Sequence, residues 1–465
     1  MNLLPYLLFI SIFFLEYLEK DLHLLNRLAT WSPEILSAAV LFFVLLRMAY
    51  TKVFFMQAKY IILFSLLIVH ILGGIIMNAV PEGAIFAGIR FYFKFVPFFL
   101  LHAIYQYSDE QIKLQFKFLI LFALLQAPVA IFQRFVQYSH LTTGDVVTGT
   151  LIISSILSIV LISIITVLLA FYLKKKISGK LAIFLSLILF FPAAINETKG
   201  TVILLPFAMF SVLMFLANTR EMRKKILTIS ILCVVSGAIF VGMYDILYKG
   251  KQKNEISLTT FFTNPDSIIP YLYSEIDIDP KLLKPRKEQI AAPMATDESL
   301  KHQRRLDRII APVILLSSEP LKLIMGLGIG NVSPSFISGF GGEYAHLQDL
   351  LGARTTVISH LIWELGFIGV MLFIIFFIFI LKDSIRLSKD EGIIGSLAAG
   401  WIGVVVIMLF SLPYKNILEF NVIGYLFWYF SGYIAARASQ YTRVQKVTKK
   451  DFFVRMAVNS KEKDE

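Results

Sequence analysis

The sequence predicts an all-α polytopic membrane protein: about twelve transmembrane helices, with one large extracytoplasmic loop between helices nine and ten. Three observations predict it. Of the 465 residues, 57% are hydrophobic and 16% charged, where soluble domains run about 45–50% and about 25%. Apolar runs close to the ~20 residues that cross a hydrocarbon core recur along the chain, and the mean hydropathy is +0.73. A single polar stretch, residues 245–356, interrupts them. Together these exclude a soluble enzyme. The excess of 44 Lys and Arg over 32 Asp and Glu would suggest nucleic acid in a soluble domain. Here its distribution is a topology signal, and no nucleic-acid partner is expected.

Nine apolar segments precede the loop, at roughly 2–18, 32–50, 59–78, 84–105, 114–135, 150–173, 180–196, 200–217 and 225–244. Three follow it, at roughly 357–381, 393–412 and 419–437. Leu3 to Leu15 has the length of a signal-peptide core, but no basic residue precedes it and no small-residue cleavage site follows, so it is expected to be a retained first span. The fourth segment carries Arg90 and Lys94, and the seventh is short, ending in Asn196-Glu197-Thr198-Lys199-Gly200. The lone cysteine, Cys233, excludes an intrachain disulfide and a thiolate metal cluster.

Cytoplasmic loops collect Lys and Arg. With the N-terminus inside, the inner segments hold Arg47, Lys52, Lys59, Lys113, Lys117, Lys174 to Lys176, Lys180, Arg220, Arg223 to Lys225, Lys382, Arg386 and Lys389, whereas the short outer loops hold Lys20, Arg27, Lys199 and Lys415. Both termini are therefore expected to be cytoplasmic. The chain divides into helices one to nine (1–244), a large periplasmic loop (245–356), helices ten to twelve (357–437) and a basic cytoplasmic tail (438–465) suited to a lipid surface.

The loop mixes acidic and basic side chains, and its first half, with Asp277, Asp279, Pro280, Pro285 and Pro293, reads as irregular. Its second half predicts a helix from Ser299 to Ser317, with Leu306, Ile309, Ile310, Val313 and Leu316 as the apolar face and Pro320 beyond its end. A loop of this length in a membrane protein is usually functional.

Ionisable side chains inside spans cost about 2.5–3.5 kcal/mol on insertion scales unless they face protein or water. Arg90 falls about 9 Å below the outer end of span four at ~1.5 Å per residue. Arg134 closes span five, Glu197 and Lys199 close span seven, and Glu364 lies one to two turns into span ten. All fall in the outer half, which suggests a polar cavity on the side of the loop. For Arg134 and Lys199 a snorkelling helix-end cation is an equal reading. His70 in span three reads as a satisfied core histidine. In the loop, Lys301, Arg304 or Arg305, and Arg308 share one helical face. Guanidinium forks on such a face can grip a diphosphate; a solvated face with Asp307 as partner is the plainer alternative. Gly326-Leu327-Gly328-Ile329-Gly330-Asn331 lacks the Lys and Ser/Thr of a phosphate loop and reads as a tight turn. His360 and Glu364 stand four apart at the start of span ten, so both can face one cavity, where either can accept a proton. No metal-ligand spacing occurs, and neither a metal nor another cofactor is expected.

Arg305-Leu306-Asp307-Arg308, Ser318-Glu319-Pro320, Gly326 to Asn331, and Glu364-Leu365-Gly366-Phe367-Ile368-Gly369 together resemble the signature of the O-antigen ligase and Wzy-type polymerase superfamily. The spans and the large loop are similar too. As architecture the resemblance covers the whole chain; as motif it covers about residues 304–369. It implies a GT-C-like fold and a metal-independent glycosyltransferase of the bacterial inner membrane. Its donor and acceptor would be undecaprenyl-diphosphate-linked oligosaccharides, with a flippase and a chain-length regulator as further partners. On matching positions it implies that Arg305 engages the donor diphosphate, and it makes His360, Glu364 and His346 candidates for the base. Lys199 stands where many members carry arginine, and Thr355 stands where ligases carry a histidine, which counts against a ligase.

The expected function is therefore a polymerase joining repeat units of an O-antigen, capsule or exopolysaccharide, with Arg90, Arg134, Lys199, Arg304 and Arg308 binding substrate and Glu364, His360 and Arg305 in the catalytic centre. An O-antigen ligase and a lipid-linked oligosaccharide flippase are the alternatives. A GT-C enzyme with its acid among Glu16, Glu19 and Asp21 ranks below them. Loop aromatics Tyr271, Tyr273, Phe336, Phe340 and Tyr344 can stack on sugars or pack the loop onto the membrane domain.

Overall fold

A computed structural model describes residues 2–52, 54–141, 143–196, 198, 200–216, 220–248, 283–285, 305–335 and 340–461. Among these every regular element is helical. Before the loop come α1 (Leu4–Lys20), α2 (Ser32–Thr51), α3 (Ala58–Asn78), α4 (Glu82–Phe93), α5 (Val96–Ile104), α6 (Asp109–Leu124), α7 (Gln126–Phe132), α8 (Ser154–Leu173), α9 (Gly179–Ile195), α10 (Gly200–Leu216) and α11 (Arg220–Tyr248). The loop contributes α12 (Arg305–Leu316), α13 (Pro320–Met325) and α14 (Leu347–Leu351), and α15 (Val357–Leu387), α16 (Ile393–Ser411) and α17 (Asn421–Lys461) follow.

Among the described residues six helical segments are long and apolar enough to cross a membrane, or seven when α4 and α5, bent by 51° at their junction, count as one. The chain is a multi-pass membrane protein by helix length and hydropathy. Helix starts follow local chemistry. Ser108 and Gln111 form a capping box at α6, and Thr356 Oγ accepts the Ser359 N–H at α15.

α8 is the most enclosed of these segments, apolar and buried on nearly every side, whereas α3 leaves much of its surface to lipid. Small residues allow the close packing around α8, as expected where lipid supplies no hydrophobic drive between helices. A Cβ at Gly400 of α16 would lie 2.6 Å from Val167 Cα, and one at Gly403 would lie 2.3 Å from Thr166 Cγ2. α17 approaches α5 in the same way, with Gly432 against the Phe99 backbone. A ring cluster of Tyr60, Phe64, Phe99, Phe376 and Trp428 fills the space between α3, α5, α15 and α17. Near the end of α15, buried Asp383 accepts from Lys59 Nζ at 2.6 Å and Tyr60 OH at 2.7 Å.

The loop helix buries Asp307, Ala311, Leu315 and Leu316, half-buries Ile309, Ile310 and Val313, and leaves Leu306 and Ile314 exposed. Leu316 and Val313 of the expected apolar face thus pack with Ala311 and Leu315 toward Trp363 and Ile362 of α15. At the C-terminal end, α17 continues as one helix to Lys461, through the basic tail.

Candidate functional site

Gly366, with φ +61° and ψ −166°, breaks α15. A broken helix leaves carbonyls without their usual donors, and here each is met from another element. Leu327 N–H donates to Trp363 O at 2.7 Å and Gly328 N–H to Glu364 O at 3.0 Å. His70 Nε2 on α3 donates to Leu365 O at 2.7 Å. His70 is thus the satisfied core histidine that its place in span three suggested.

The Glu364 carboxylate is fully buried and completes the same joint. Its Oε2 accepts the Gly330 N–H at 2.9 Å, its Oε1 accepts the Ser333 hydroxyl at 2.8 Å, and His360 Nε2 stands 3.2 Å from Oε1. Asn416 Nδ2 donates to His360 Nδ1 at 3.1 Å, which leaves the imidazole proton on Nε2, facing Glu364. The glycine run is required because its backbone enters between packed helices. Gly330 has φ +74°, and a Cβ there would lie 1.8 Å from Ala84 O.

Aromatic rings close the group on another side. Phe91 lies 4.5 Å and Tyr92 5.7 Å, centroid to centroid, from His360. The Arg354 guanidinium sits 5.4 Å from the centroid of Phe91 and pairs with Glu419 at 2.7 Å. The residue before Phe91 on α4, Arg90, pairs with Glu34 at 3.0 Å and lies 4.4 Å over the Trp31 ring. Lys94 Nζ donates to Asn421 Oδ1 at 2.7 Å, and the Ser37 hydroxyl donates to its backbone carbonyl. Arg90, Lys94 and Arg354 are therefore each matched by a carboxylate or an amide oxygen.

The structure brings Glu364 and His360 together. It ties Arg308 to them through the backbone, its carbonyl accepting the Ser359 hydroxyl at 2.8 Å. Arg90 lies next in sequence to Phe91 but turns toward Glu34. Arg134 is buried in a wide helical turn and donates to Leu141 O at 3.1 Å. His346 caps α14 beside Tyr344. Lys199 and Arg304, with Glu197, Tyr271, Tyr273 and Phe336, lie outside the described residues, as does the side chain of Arg305. Phe340 packs edge-on against Phe86 and Tyr344 is buried within the loop's own core, so these two aromatics pack the loop.

Asn416, Ser333 and Arg354 were missed from sequence. Arg354 stood beside Thr355, the position singled out for its lack of a histidine, and Asn416 formed a polar pair with Lys415 in a short connection. Among the described residues no group of three or more His, Cys, Asp and Glu is arranged to hold a metal ion. An apolar cavity lined by Phe116, Ser163, Trp401 and Phe427 lies within the bundle, and none of the polar group lines it.

Fold and site define a helical multi-pass membrane protein with a buried Glu–His–Asn group where the loop meets the bundle. Comparison with known protein families finds no match, and no curated protein matches the chain.

Proposed function

We propose that the chain is a polysaccharide polymerase of the bacterial inner membrane. In this reading it crosses the membrane twelve times with both termini in the cytoplasm, and it joins undecaprenyl-diphosphate-linked repeat units at the outer face. One observation carries the reading: the glycine run and the Glu364 segment, the two motif halves behind the resemblance, form one joint through Gly330 N–H and the Glu364 carboxylate.

An acceptor hydroxyl attacks the anomeric carbon of the donor, the bond from that carbon to the diphosphate oxygen breaks, and the hydroxyl proton passes to water or to the departing diphosphate. The lipid diphosphate is a good leaving group, so positioning and cationic stabilisation supply most of the rate. The cations for this are Arg305 and Arg308 of α12, with Arg90 and Arg354 available on exchanging a carboxylate for phosphate oxygens. Both Glu364 and His360 are enclosed. Glu364 therefore acts by holding the turn, and His360, with Nδ1 taken by Asn416 and Nε2 facing the carboxylate, acts by positioning Glu364.

The test is polymer length on gels from cells lacking the gene and complemented with wild type or Arg305→Ala. Wild type alone should restore the ladder, with single repeat units left on the carrier otherwise. A ladder that persists in the deletion strain overturns the reading and favours transport or ligation.

A further inference from the structure

Two helices of the loop carry apolar side chains that their own packing does not cover. In α13, Leu321 is 59% and Ile324 44% exposed, and at the end of α12 Ile314 is 44% exposed. In an aqueous loop such residues would be an anomaly, since contiguous exposed apolar surface marks an interaction site. Their depth gives them a partner.

α13 and the glycine run after it do not rest on top of the bundle. A Cβ at Gly73 of α3 would lie 3.2 Å from Met325 Cε, and one at Gly88 of α4 would lie 2.6 Å from Gly330 N. Gly73 is five residues before the end of α3 and Gly88 six residues after the start of α4, so both lie about 8 Å inside the helix ends at ~1.5 Å per residue. A Cβ at Gly366, in the interior of α15, would lie 2.2 Å from Ile324 O. Gly88 and Gly366 thus admit the backbone of residues 324–330 between α4 and α15, while Gly73 and Gly74 of α3 line its other side against Met325 and Gly328.

We infer that α13 and the glycine run are a re-entrant element of the membrane domain, and that Leu321 and Ile324 contact the acyl chains of the adjacent lipid leaflet. Non-helical backbone at membrane depth is tolerated where protein encloses it, and residues 326–333 are buried, with the glycine amides bonded as described above. The surface is continuous with lipid-facing α3, whose Leu72 is 52% and Ile76 79% exposed. The ion pair of α13, Lys322 with Glu319 at 2.8 Å, stands at its N-terminal end, where an interfacial helix keeps its charge. Ile314, near the end of α12, adds a further exposed apolar side chain of the loop.

Spin labels attached at single cysteines test this in the full chain reconstituted into phospholipid vesicles. The background carries Cys233→Ser, and the sites are Leu321→Cys, Ile324→Cys and Ile314→Cys. Ile76→Cys serves as the lipid control and Glu110→Cys, on the exposed first turn of α6, as the water control. Oxygen concentrates in hydrocarbon, whereas a polar nickel chelate is excluded from it, at least about a tenfold change in relative collision rate. The ratio of oxygen to nickel collisions at 321 and 324 should match that at 76 and exceed that at 110 about tenfold, with 314 intermediate. A ratio like that at 110 places α13 in water and overturns the inference. Low collision with both reagents means that other residues of the chain cover the patch, and overturns it equally. The readout is independent of polymerase activity, and variants are compared only when they elute as one symmetric peak in detergent.

Discussion

Glu364 Oε2 accepts the backbone N–H of Gly330 at 2.9 Å across 34 positions of sequence. With the Ser333 hydroxyl on its other oxygen, this carboxylate fastens the loop to the break in α15. An ionised group with no exposure is tolerable there because donors surround it. Charge-assisted bonds are roughly twice as strong as neutral ones.

Replacing Glu364 by Ala should strand buried donors, at ~1–3 kcal/mol for each one left unmade. Glu364→Gln keeps the shape and one acceptor oxygen, so its loss should be smaller. The midpoint of thermal unfolding in detergent should fall in the order wild type, Gln, Ala. Midpoints for both variants equal to wild type would show that the clasp adds nothing to stability.

Glycine at 330 is required by its backbone as well as by its neighbours. Gly330→Ala sets a Cβ against Ala84 O and asks an L-residue to hold φ +74°, and it should cut the yield of monodisperse protein sharply. Gly242→Ala in α11, with nothing within 4 Å of its Cβ, should leave yield unchanged or raise it, since Ala is favoured over Gly in a helix by ~1 kcal/mol. Size-exclusion profiles of the two variants, expressed side by side, check the contrast.

Hydropathy made the helices legible because each span reports its own solvent, residue by residue, as α8 and α15 do. The break at Gly366 was not legible. Phe367 to Leu381 continues the apolar pattern without a gap, and the donors that make the break tolerable, Leu327 N–H, Gly328 N–H and His70 Nε2, come from distant segments. The spacing of His360 and Glu364 did foretell their contact, because i and i+4 share a helix face. That the contact is enclosed, and steadied by Asn416, depends on α16 and α17 bringing a connecting segment back over it. The apolar face read for α12 reaches the core only through Val313 and Leu316, because hydrophobicity alone cannot say which side of a helix with apolar residues all round will dock.

At the opposite end of α15, Asp383 holds α3 through Lys59 Nζ and Tyr60 OH. Removing one partner of a buried ion pair typically costs ~3–5 kcal/mol. Asp383→Ala should approach that figure, since it strands Lys59 and Tyr60 and removes the longer bond from Gln57. Lys59→Ala should cost less, because the lysine is a quarter exposed and Tyr60 still bonds the carboxylate. Thermal midpoints measured in the same detergent decide the order, and a larger loss from Lys59→Ala would contradict it.

Arg354 and Glu419 join the loop to the segment between α16 and α17 at 2.7 Å, with Arg354 only 16% exposed. Their coupling should be measurable although neither is fully buried. Residues in direct contact commonly couple by ~0.5–3 kcal/mol, and the partial exposure of Glu419 places this pair toward the lower half of that range. A thermodynamic cycle of Arg354→Ala, Glu419→Ala and the double variant, read by unfolding in detergent, should show the double variant less destabilised than the sum of the singles. Arg354→Ala should also be the more damaging single, because it removes the cation over Phe91, the ring that packs on His360. Arg354→Lys keeps the charge but gives up the planar stack, and should recover the Glu419 coupling without restoring full stability. Strict additivity across the cycle would mean that the ion pair is a contact without consequence, and that the loop is held in place by its other contacts: Glu364, the glycine run and the packing of α12 on α15.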